Sequence, residues 1–281
     1  MVPGRHAADV RPDTRPHPVS LPRLVATDLD GTLLRTDGLV SELTAEVLGE
    51  VQSRGTEVVF VTARPLRWMD DLWQHVAEQG IAVVSNGAIT YDIGRREVLA
   101  VHGIDPDPGL ALIETIRDQA PGTGFALECL GGFRREPAYD DLHPAPPGSP
   151  VGALPQVWDE PAVKILAQHR TMDPAEFRRR VVAAVGDAAT PTWTLDGLME
   201  ISATGVTKGG ALAEVCAGKG IEAGDVVAFG DMPNDVPMLR WAGTSYAMGN
   251  AHPDVIAAAD HVAPTNDEDG VAVVLTALFG L

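Results

Sequence analysis

The sequence predicts an α/β protein in which a doubly wound parallel sheet carries an inserted α+β unit. Short apolar runs rich in β-branched residues alternate with amphipathic segments over residues 24–90 and again over 198–281. This pattern is typical of a parallel sheet with helices on both faces. Two of the runs end in clustered carboxylates, and such sheets carry their chemistry where the strands end. The residues in between lose the alternation, which indicates an insert.

The first half of the core predicts three strands, with a helix after each of the first two. Ser41 fits the N-cap of the first helix, and Gly55 ends it. Pro65 suits the first turn of the second helix, and Gly80 ends that one. The strands are expected at 24–28, 57–62 and 81–85.

The insert over residues 91–194 combines short strands, two helices and much Gly and Pro. Its strands are expected at 97–102, 124–129 and 162–168, and its helices at 110–119 and 174–185. Residues 130–161 are dense in Gly and Pro, and irregular stretches of that length are usually functional or disordered. The expected organisation is therefore a core over 23–90 and 195–281, with the inserted unit over 91–194.

The alternating pattern returns after the insert. A strand is expected at 225–230, and it runs directly into Asp231 and Asp235. Val236 opens the helix that follows. The remaining elements are a helix at 211–218, short strands at 242–248 and 259–263, and a helix from 270 onward.

Composition argues against several classes of partner. The 281 residues include 39 acidic and 21 basic side chains, a net charge of −18, whereas nucleic-acid and anionic-membrane surfaces need a basic footprint. No apolar run approaches the roughly 20 residues that span a membrane. We therefore expect neither a nucleic-acid partner nor a membrane partner.

The N-terminus and the cysteines indicate a cytoplasmic protein. Residues 1–22 are rich in Pro and lack apolar periodicity, so they predict a disordered leader without the apolar core of a secretory signal. Cys129 and Cys216 show neither metal-ligand nor redox spacing. We expect both to be free thiols in a reducing compartment.

Four polar clusters at strand ends and loops predict phosphoryl-transfer chemistry. Two carboxylates two residues apart repel unless a cation or a shared proton compensates, and Mg2+ is the simplest compensation because it prefers oxygen ligands. Phosphoryl transfer needs a nucleophile, an acid, charge clamps and usually a metal. One carboxylate can form an aspartyl phosphate, and a second, protonated one can donate to the leaving oxygen. The clusters are Asp28 with Asp30, Thr62, Lys208, and Asp231 with Asp235.

In this order the motifs resemble those of the haloacid dehalogenase (HAD) superfamily of phosphatases. They are Asp-Leu-Asp-Gly-Thr at 28–32, Val-Thr-Ala-Arg at 61–64, Lys208, and Gly-Asp-Met-Pro-Asn-Asp at 230–235. The insert between the second and third motifs, and the Ser-Asn-Gly-Ala run from Ser85, are similar to the Cof-like subclass IIB. The resemblance implies a Rossmann-like core with an α+β cap of the C2B type.

The resemblance further implies a Mg2+-dependent phosphomonoester hydrolase. Its substrates would be small phosphorylated metabolites, sugar phosphates above all, and it would act as a monomer or weak homodimer. Asp28 would be the nucleophile and a metal ligand, and Asp30 the general acid/base with a metal-binding backbone carbonyl. The catalytic residues implied are Asp28, Asp30, Thr62 and Lys208. The metal ligands implied are Asp28, Asp30, Asp231 and Asp235. The residues implied to bind substrate are Thr62, Ala63, Asn86, Gly87, Lys208 and Asn234.

Substrate discrimination is expected from the insert, because the core motifs use their groups on the phosphoryl unit and the metal. The run of Gly131 and Gly132 followed by Phe133, Arg134 and Arg135 is the best candidate. The glycines allow close approach, Phe133 offers an apolar face, and arginines can grip hydroxyls or a second anionic group. Lys164, on an expected strand of the insert, is interpreted as structural.

Two other functions are compatible with the same fold. A phosphotransferase of the phosphomannomutase type would pass the phosphoryl group between two positions of a sugar rather than to water. A silent binding module is the other alternative, and the intact acidic and lysine motifs argue against it. Release of inorganic phosphate without a sugar-bisphosphate activator would distinguish the hydrolase from the phosphotransferase.

Overall fold

The computed structural model describes residues 21–69, 80–140 and 145–281. The leader expected over 1–22 lies almost entirely outside these residues. So does most of the helix expected between Pro65 and Gly80, whose described part forms the 3-10 turn Leu66–Trp68.

Strands and helices alternate through most of the described chain. The strands are β1 (Leu24–Thr27), β2 (Glu57–Val61), β3 (Ile81–Val84), β4 (Ile89–Asp92), β5 (Glu97–Val101), β6 (Gly124–Cys129), β7 (Gly132–Arg135), β8 (Ala162–Gln168), β9 (Ala189–Thr192), β10 (Leu198–Ala203), β11 (Val226–Gly230), β12 (Thr244–Ala247) and β13 (His261–Val262). The helices are α1 (Glu42–Ser53), α2 (Pro106–Gln119), α3 (Leu154–Val157), α4 (Pro174–Val185), α5 (Lys208–Lys219), α6 (Val236–Trp241), α7 (Pro253–Ile256) and α8 (Gly270–Phe279).

Eight strands form the core sheet, in the order β13-β12-β11-β1-β2-β3-β4-β5. The pairs from β13 to β3 are parallel, and β4 and β5 extend the sheet as antiparallel strands. β1 lies between β11 and β2 and is fully buried, as its apolar run predicts. The carboxyl ends of β1, β2 and β11 therefore lie side by side.

Helices cover both faces of this sheet. Val51 of α1 and Phe279 of α8 pack in one apolar cluster with Phe60 of β2. On the opposite face of the sheet, Leu212 of α5 and Leu239 of α6 pack in a second apolar cluster with the strand residues whose side chains point to that face. The core is thus doubly wound, and the fold class read from the sequence is confirmed.

A second, antiparallel sheet of five strands, ordered β7-β6-β8-β10-β9, forms the centre of the insert. One face packs against α2 and α4 through residues such as Ile113 and Phe177. The other face carries a small apolar cluster that includes Phe133, Leu166 and Leu198. We refer to this unit as the cap.

Strand pairing corrects the expected boundaries of the insert at 91 and 194. The strand assigned to the insert near residue 97 is β5, which pairs with β4 in the core sheet. The strand near residue 198, where the core pattern was expected to resume, is β10, which pairs with β8 and β9 in the cap. The chain therefore leaves the core sheet after β5 and returns to the core after β10.

Both cysteines are free and buried, which confirms the expectation of free thiols. Burial raises the pKa of the Cys129 thiol to about 12 and that of Cys216 to about 11. Neither is therefore a reactive thiolate. Within the described ranges, no helix is long and apolar enough to cross a bilayer.

Candidate active site

Three carboxylates converge where β1 and β11 end. Asp28 follows β1 directly, and its backbone N–H donates to the carbonyl of Phe229 on β11, at 3.1 Å. Asp231 follows β11, and Asp235 lies one turn further on. Each of the three offers an oxygen within 4.8 Å of the others, and all three are buried.

Lys208, the first residue of α5, is the cation at the centre of this cluster. Its Nζ lies 2.8 Å from Asp28 Oδ1 and 2.6 Å from Asp235 Oδ1, and its side chain is 0% exposed. Burial alone would lower the pKa of Lys208, but the two carboxylates more than offset burial and raise it. The lysine is therefore charged at every physiological pH.

Asp235 also fixes the loop that carries Asp231. Its Oδ2 accepts from the backbone N–H groups of Asp231 and Met232, both at 2.9 Å. A Cβ on Gly230 would lie 2.5 Å from the Asp235 Cβ, so this close approach requires glycine. The Asp235 side chain makes no capping hydrogen bond to α6, so it serves this loop and Lys208 instead.

The loop after β1 approaches the same cluster from the other side. Thr32 Oγ1 donates to Asp231 Oδ1 at 3.0 Å. Gly31 has a φ of 74°, and a Cβ there would lie 2.3 Å from Asp231 Oδ2. The glycine of the first motif is thus required both for its left-handed backbone and for the contact with Asp231.

The cluster has the charge and donor set that a divalent cation needs. Three buried carboxylates face one lysine. Burial, and then repulsion from Asp235, raise the pKa of Asp28 well above its usual value. The same two causes, in the same order, raise the pKa of Asp231 to about 7. Burial and mutual repulsion both disfavour the charged carboxylates, and a bound cation would offset both effects. An oxygen-only donor set suits a hard cation. The residues present therefore fit a bound metal.

Asp30 lies outside this cluster. β1 stops at Thr27, so Asp28 and Asp30 lie on a turn and do not share the strand face that their spacing suggested. The Asp30 carboxylate forms a bidentate pair with the Arg64 guanidinium, at 2.7 and 2.5 Å. Its side chain is 56% exposed and borders the cleft described below. It is therefore positioned towards a substrate but held by Arg64.

Thr62 follows β2 directly and is fully buried. Its backbone N–H donates to the Val83 carbonyl at 2.8 Å, and its Oγ1 accepts from the Arg64 N–H at 3.0 Å. The hydroxyl hydrogen remains available to donate, in keeping with the expected phosphoryl contact. Ala63 borders the cleft, with its carbonyl bonded to Lys164.

Asn86 and Gly87 connect elements rather than border the cleft. Asn86 has a left-handed backbone and accepts through Oδ1 from Asn234 Nδ2, at 3.0 Å. Its own Nδ2 donates to Glu200 of the cap, at 3.1 Å. Asn234 is among the residues that line the cleft. A direct substrate contact thus remains an expectation for Asn234, whereas Asn86 positions it.

A cleft of about 810 Å3 separates the two sheets. Two ion pairs line this cleft. Lys164 of the cap donates to the Ala63 carbonyl at 2.8 Å and to Glu200 at 2.6 Å. Arg67 of the core binds Glu128 of the cap, with its shorter contact at 2.6 Å. Glu128, Lys164 and Glu200 are charged residues within otherwise apolar strand segments. Such groups are rarely buried unless they are paired, so this pattern in the sequence could have indicated them.

The three cap residues expected to contact substrate separate in the structure. Phe133 borders the cleft, and its ring packs edge-on against Tyr139. Arg134 is buried in pairs with Asp159 and Glu160, both at 2.7 Å. Neither Arg134 nor Arg135 is among the described residues lining the cleft. The assignment of Arg134 to substrate binding therefore needs correction, because successive strand residues face opposite sides and β7 turns Arg134 away from the cleft. Arg135 lies on the same side of β7 as Phe133, and its contact with substrate stays a prediction.

Comparison with known proteins agrees with this geometry. The family profile of the haloacid dehalogenase-like hydrolases matches residues 25–275. The 5-amino-6-(5-phospho-D-ribitylamino)uracil phosphatase YcsE of Bacillus subtilis is 27% identical over 254 residues, which cover 89% of this chain and 93% of that protein. The HMP-PP phosphatase of Cronobacter sakazakii is 28% identical over 253 residues, covering 85% and 89%.

Solved structures share the fold. The HAD subclass IIB sugar phosphatase BT4131 superposes with a TM-score of 0.76 at 22% identity, covering 92% of this chain and 99% of that one. The family profile spans most of the chain, and its characteristic acidic motifs form the cluster around Lys208. The chain therefore belongs to the haloacid dehalogenase-like hydrolases.

Proposed function

We propose that the protein is a Mg2+-dependent phosphomonoesterase that acts on small phosphorylated metabolites through an aspartyl phosphate on Asp28. The observation that carries this proposal is the buried contact of Lys208 with Asp28 and Asp235, beside Asp231. It supports the proposal, because this cluster can supply a carboxylate to act as nucleophile, a fixed cation and oxygen ligands for a metal.

In the first step, an oxygen of Asp28 attacks phosphorus while the bond from phosphorus to the ester oxygen breaks. The leaving oxygen keeps the electron pair and takes a proton from Asp30, which must release Arg64 to do so. Water then attacks phosphorus, its proton passes to Asp30, and Asp28 is regenerated with release of phosphate. Asp28, Asp231 and the backbone carbonyl of Asp30 would hold Mg2+, with Asp235 nearby, and the ion would neutralise charge on the carboxylates and phosphoryl oxygens.

The other groups hold the phosphoryl unit. Lys208 neutralises charge that develops on the phosphoryl oxygens, and its position requires no reorganisation because two carboxylates already fix it. The Thr62 hydroxyl donates to the same unit, with backbone N–H groups near Ala63. Relatives that act on HMP-PP and on a phosphorylated ribitylaminouracil support small phosphorylated metabolites as the substrate class, and a sugar phosphatase shares the fold.

The protein's context is part of the proposal. We propose a cytoplasmic location, supported by the two free buried cysteines, and a monomer or weak homodimer. Size-exclusion chromatography with light scattering tests the oligomeric state.

The decisive experiment is phosphate release by the purified full chain. With Mg2+ and a panel of phosphomonoesters, we expect inorganic phosphate to form without any sugar-bisphosphate activator. Isomerised sugar phosphate without phosphate release would instead indicate the phosphomannomutase-type phosphotransferase.

Metal removal should abolish this activity. Exhaustive chelation leaves the carboxylate cluster without its compensating cation, so we expect kcat/KM to fall on the order of 100-fold or more. Adding Mg2+ should restore it fully, and Mn2+ or Co2+ in part, because the site offers only oxygen ligands. Undiminished turnover after chelation would contradict a metal-dependent mechanism.

Metal binding should also depend on pH. The pKa of Asp231 is raised to about 7 in the metal-free fold, so that carboxyl is protonated below about pH 7 and must release its proton to bind a cation. A raised carboxyl pKa stabilises the metal-free fold at low pH, and this stability is lost as pH rises from about 4 to about 7. We therefore expect Mg2+ to raise the thermal midpoint more at pH 8 than at pH 5.5. An equal increment at both values would contradict this coupling.

A further inference from the structure

The loop that follows β2 has all three of its backbone carbonyls hydrogen-bonded, and we call residues 62–64 the phosphoryl loop. The first and third carbonyls accept from the backbone N–H groups of Asn86 and Ser85, at 3.1 and 3.0 Å. The middle carbonyl, that of Ala63, accepts from Lys164 Nζ at 2.8 Å. The core therefore fixes both ends of the loop, whereas its centre is bound by a side chain of β8 in the cap.

The peptide unit between Ala63 and Arg64 connects Lys164 to the Thr62 hydroxyl. Its carbonyl accepts from Lys164, and its N–H donates to Thr62 Oγ1 at 3.0 Å. Because a peptide unit is planar, its carbonyl and its N–H cannot be oriented independently of each other. The proposed function requires the hydroxyl hydrogen of Thr62 to donate to the phosphoryl group, and the bond that Oγ1 accepts restricts the directions open to that hydrogen. The direction of the Thr62 hydroxyl thus depends on the contact with Lys164.

Lys164 is itself held at this position. Its side chain is 3% exposed, and its Nζ also donates to Glu200 Oε1 at 2.6 Å. The other oxygen of Glu200 accepts from Asn86 Nδ2 at 3.1 Å, and Asn86 is the residue whose backbone N–H binds the first carbonyl of the phosphoryl loop. A buried ammonium costs free energy unless it is paired. The Glu200 carboxylate would pair it within the cap, so the further bond to Ala63 is not needed for charge balance.

We propose that Lys164 is a positioning residue for phosphoryl transfer, which orients the Thr62 hydroxyl through the peptide unit between Ala63 and Arg64. The inference rests on the proposed phosphatase function, and it gives Lys164 a role beyond the structural one expected from the sequence. Because Lys164 belongs to the cap, the phosphoryl loop has this arrangement only while the cap sheet lies against the core. Lys164 also lines the cleft, so a direct contact with the substrate is the competing explanation.

The first test is Lys164→Met, which keeps the length of the side chain but removes its donor. With the Mg2+-loaded full chain, we expect kcat/KM to fall about 10- to 100-fold for 4-nitrophenyl phosphate, glucose 6-phosphate and pyridoxine 5′-phosphate alike, because misplacing a group that holds the phosphoryl unit affects every ester. A loss confined to one ester would indicate a direct contact of Lys164 with that alcohol and would overturn the inference. Activity retained within about twofold for all three esters would overturn it as well.

The second test measures the coupling between Lys164 and Thr62. Thr62→Val removes the hydroxyl but keeps the shape of the side chain. If Lys164 orients that hydroxyl, Lys164→Met should lower kcat/KM by no more than about twofold in the Thr62→Val background, although it lowers kcat/KM about tenfold or more in the unaltered protein. A merely structural role would give equal losses in both backgrounds, and that result would overturn the inference.

The third test separates positioning from charge balance. Lys164→Met leaves Glu200 buried without its cation, so the urea midpoint should fall. Lys164→Met/Glu200→Gln leaves neither charge unpaired, so this double variant should regain most of the midpoint while kcat/KM stays low. Recovery of both would mean that Lys164 only balances the charge of Glu200, and would overturn the inference. Should Lys164→Met alone not fold, the double variant takes its place in the first two tests.

Arg117→Met is the matched control in the cap. Arg117 is a cation of α2 whose described ion pairs, with Glu114 and Glu136, lie within the cap. Its replacement should leave kcat/KM for all three esters within about twofold of the unaltered protein. No phosphate release from any ester by the unaltered protein would overturn the phosphatase function and this inference together, whereas release that Lys164→Met does not impair would overturn the inference alone.

Discussion

Replacing Asp28 by Asn should reduce phosphate release by roughly three orders of magnitude or more. The amide keeps the shape of the side chain but cannot attack phosphorus, and it removes one of the charges that would hold a metal. The fold should survive. Burial already disfavours the charged form of Asp28 by raising its pKa, so a neutral amide relieves that penalty. Lys208 keeps Asp235 as its partner, at 2.6 Å.

The measurement pairs steady-state kinetics with thermal unfolding in chelator. We expect the thermal midpoint of Asp28→Asn without metal to equal or exceed that of the unaltered protein, while its activity is lost. Asp267→Asn is the matched control, because Asp267 is an exposed aspartate that bonds only to Thr36 among the contacts described. It should keep its activity. If Asp28→Asn turned over within tenfold of the unaltered protein, attack by Asp28 would be ruled out.

The local pattern of apolar and polar residues was sufficient to predict most helices and strands of the fold. The expected segments 124–129, 162–168 and 174–185 coincide with β6, β8 and α4, because burial on one or two faces imposes the period of strand or helix on the sequence. Sheet membership was not predictable in the same way. β5 and β10 read as short strands in either sheet, and only their pairing partners, distant in sequence, decide the assignment.

The same distinction applies to the site. The acidic cluster could be expected, because parallel strands bring their carboxyl ends to one edge. Lys208, the first residue of α5, could be placed with it only through the motif resemblance. The direction of Asp30 could not be expected, since it depends on β1 stopping at Thr27. Arg134 is a different case. Once Gly132–Arg135 is a strand, Phe133 and Arg134 must face opposite sides, so the sequence contained that signal. The buried link between Lys164 and Glu200 needed the register of β8 and β10.

Lys208→Met should weaken both catalysis and the fold. Loss of a fixed cation at the reacting phosphoryl group should lower kcat/KM about 100- to 1,000-fold. Removal of one partner leaves Asp28 and Asp235 buried without their counter-charge, and breaking a buried pair in this way costs about 3–5 kcal/mol of unfolding free energy. Urea unfolding in chelator measures that loss.

The same helix supplies the control. Lys219, the last residue of α5, pairs with Glu57 at 2.7 Å, but its side chain is 34% exposed. Lys219→Met should therefore change the unfolding free energy by no more than about 1 kcal/mol and leave activity intact. A comparable loss in both variants would mean that α5 merely tolerates no methionine, and would contradict a special role for Lys208.

Dependence on pH separates charge from packing in Lys208→Met. Without the lysine, the buried carboxylates can avoid mutual repulsion only by binding protons, which they do more readily as pH falls. The stability deficit should therefore be largest above pH 7 and shrink towards pH 5, and Mg2+ should reduce it at pH 8 by supplying positive charge. A deficit that is constant from pH 5 to pH 8 and insensitive to Mg2+ would show that Lys208 contributes packing alone. In that case the charge balance from which we infer the metal site would be wrong.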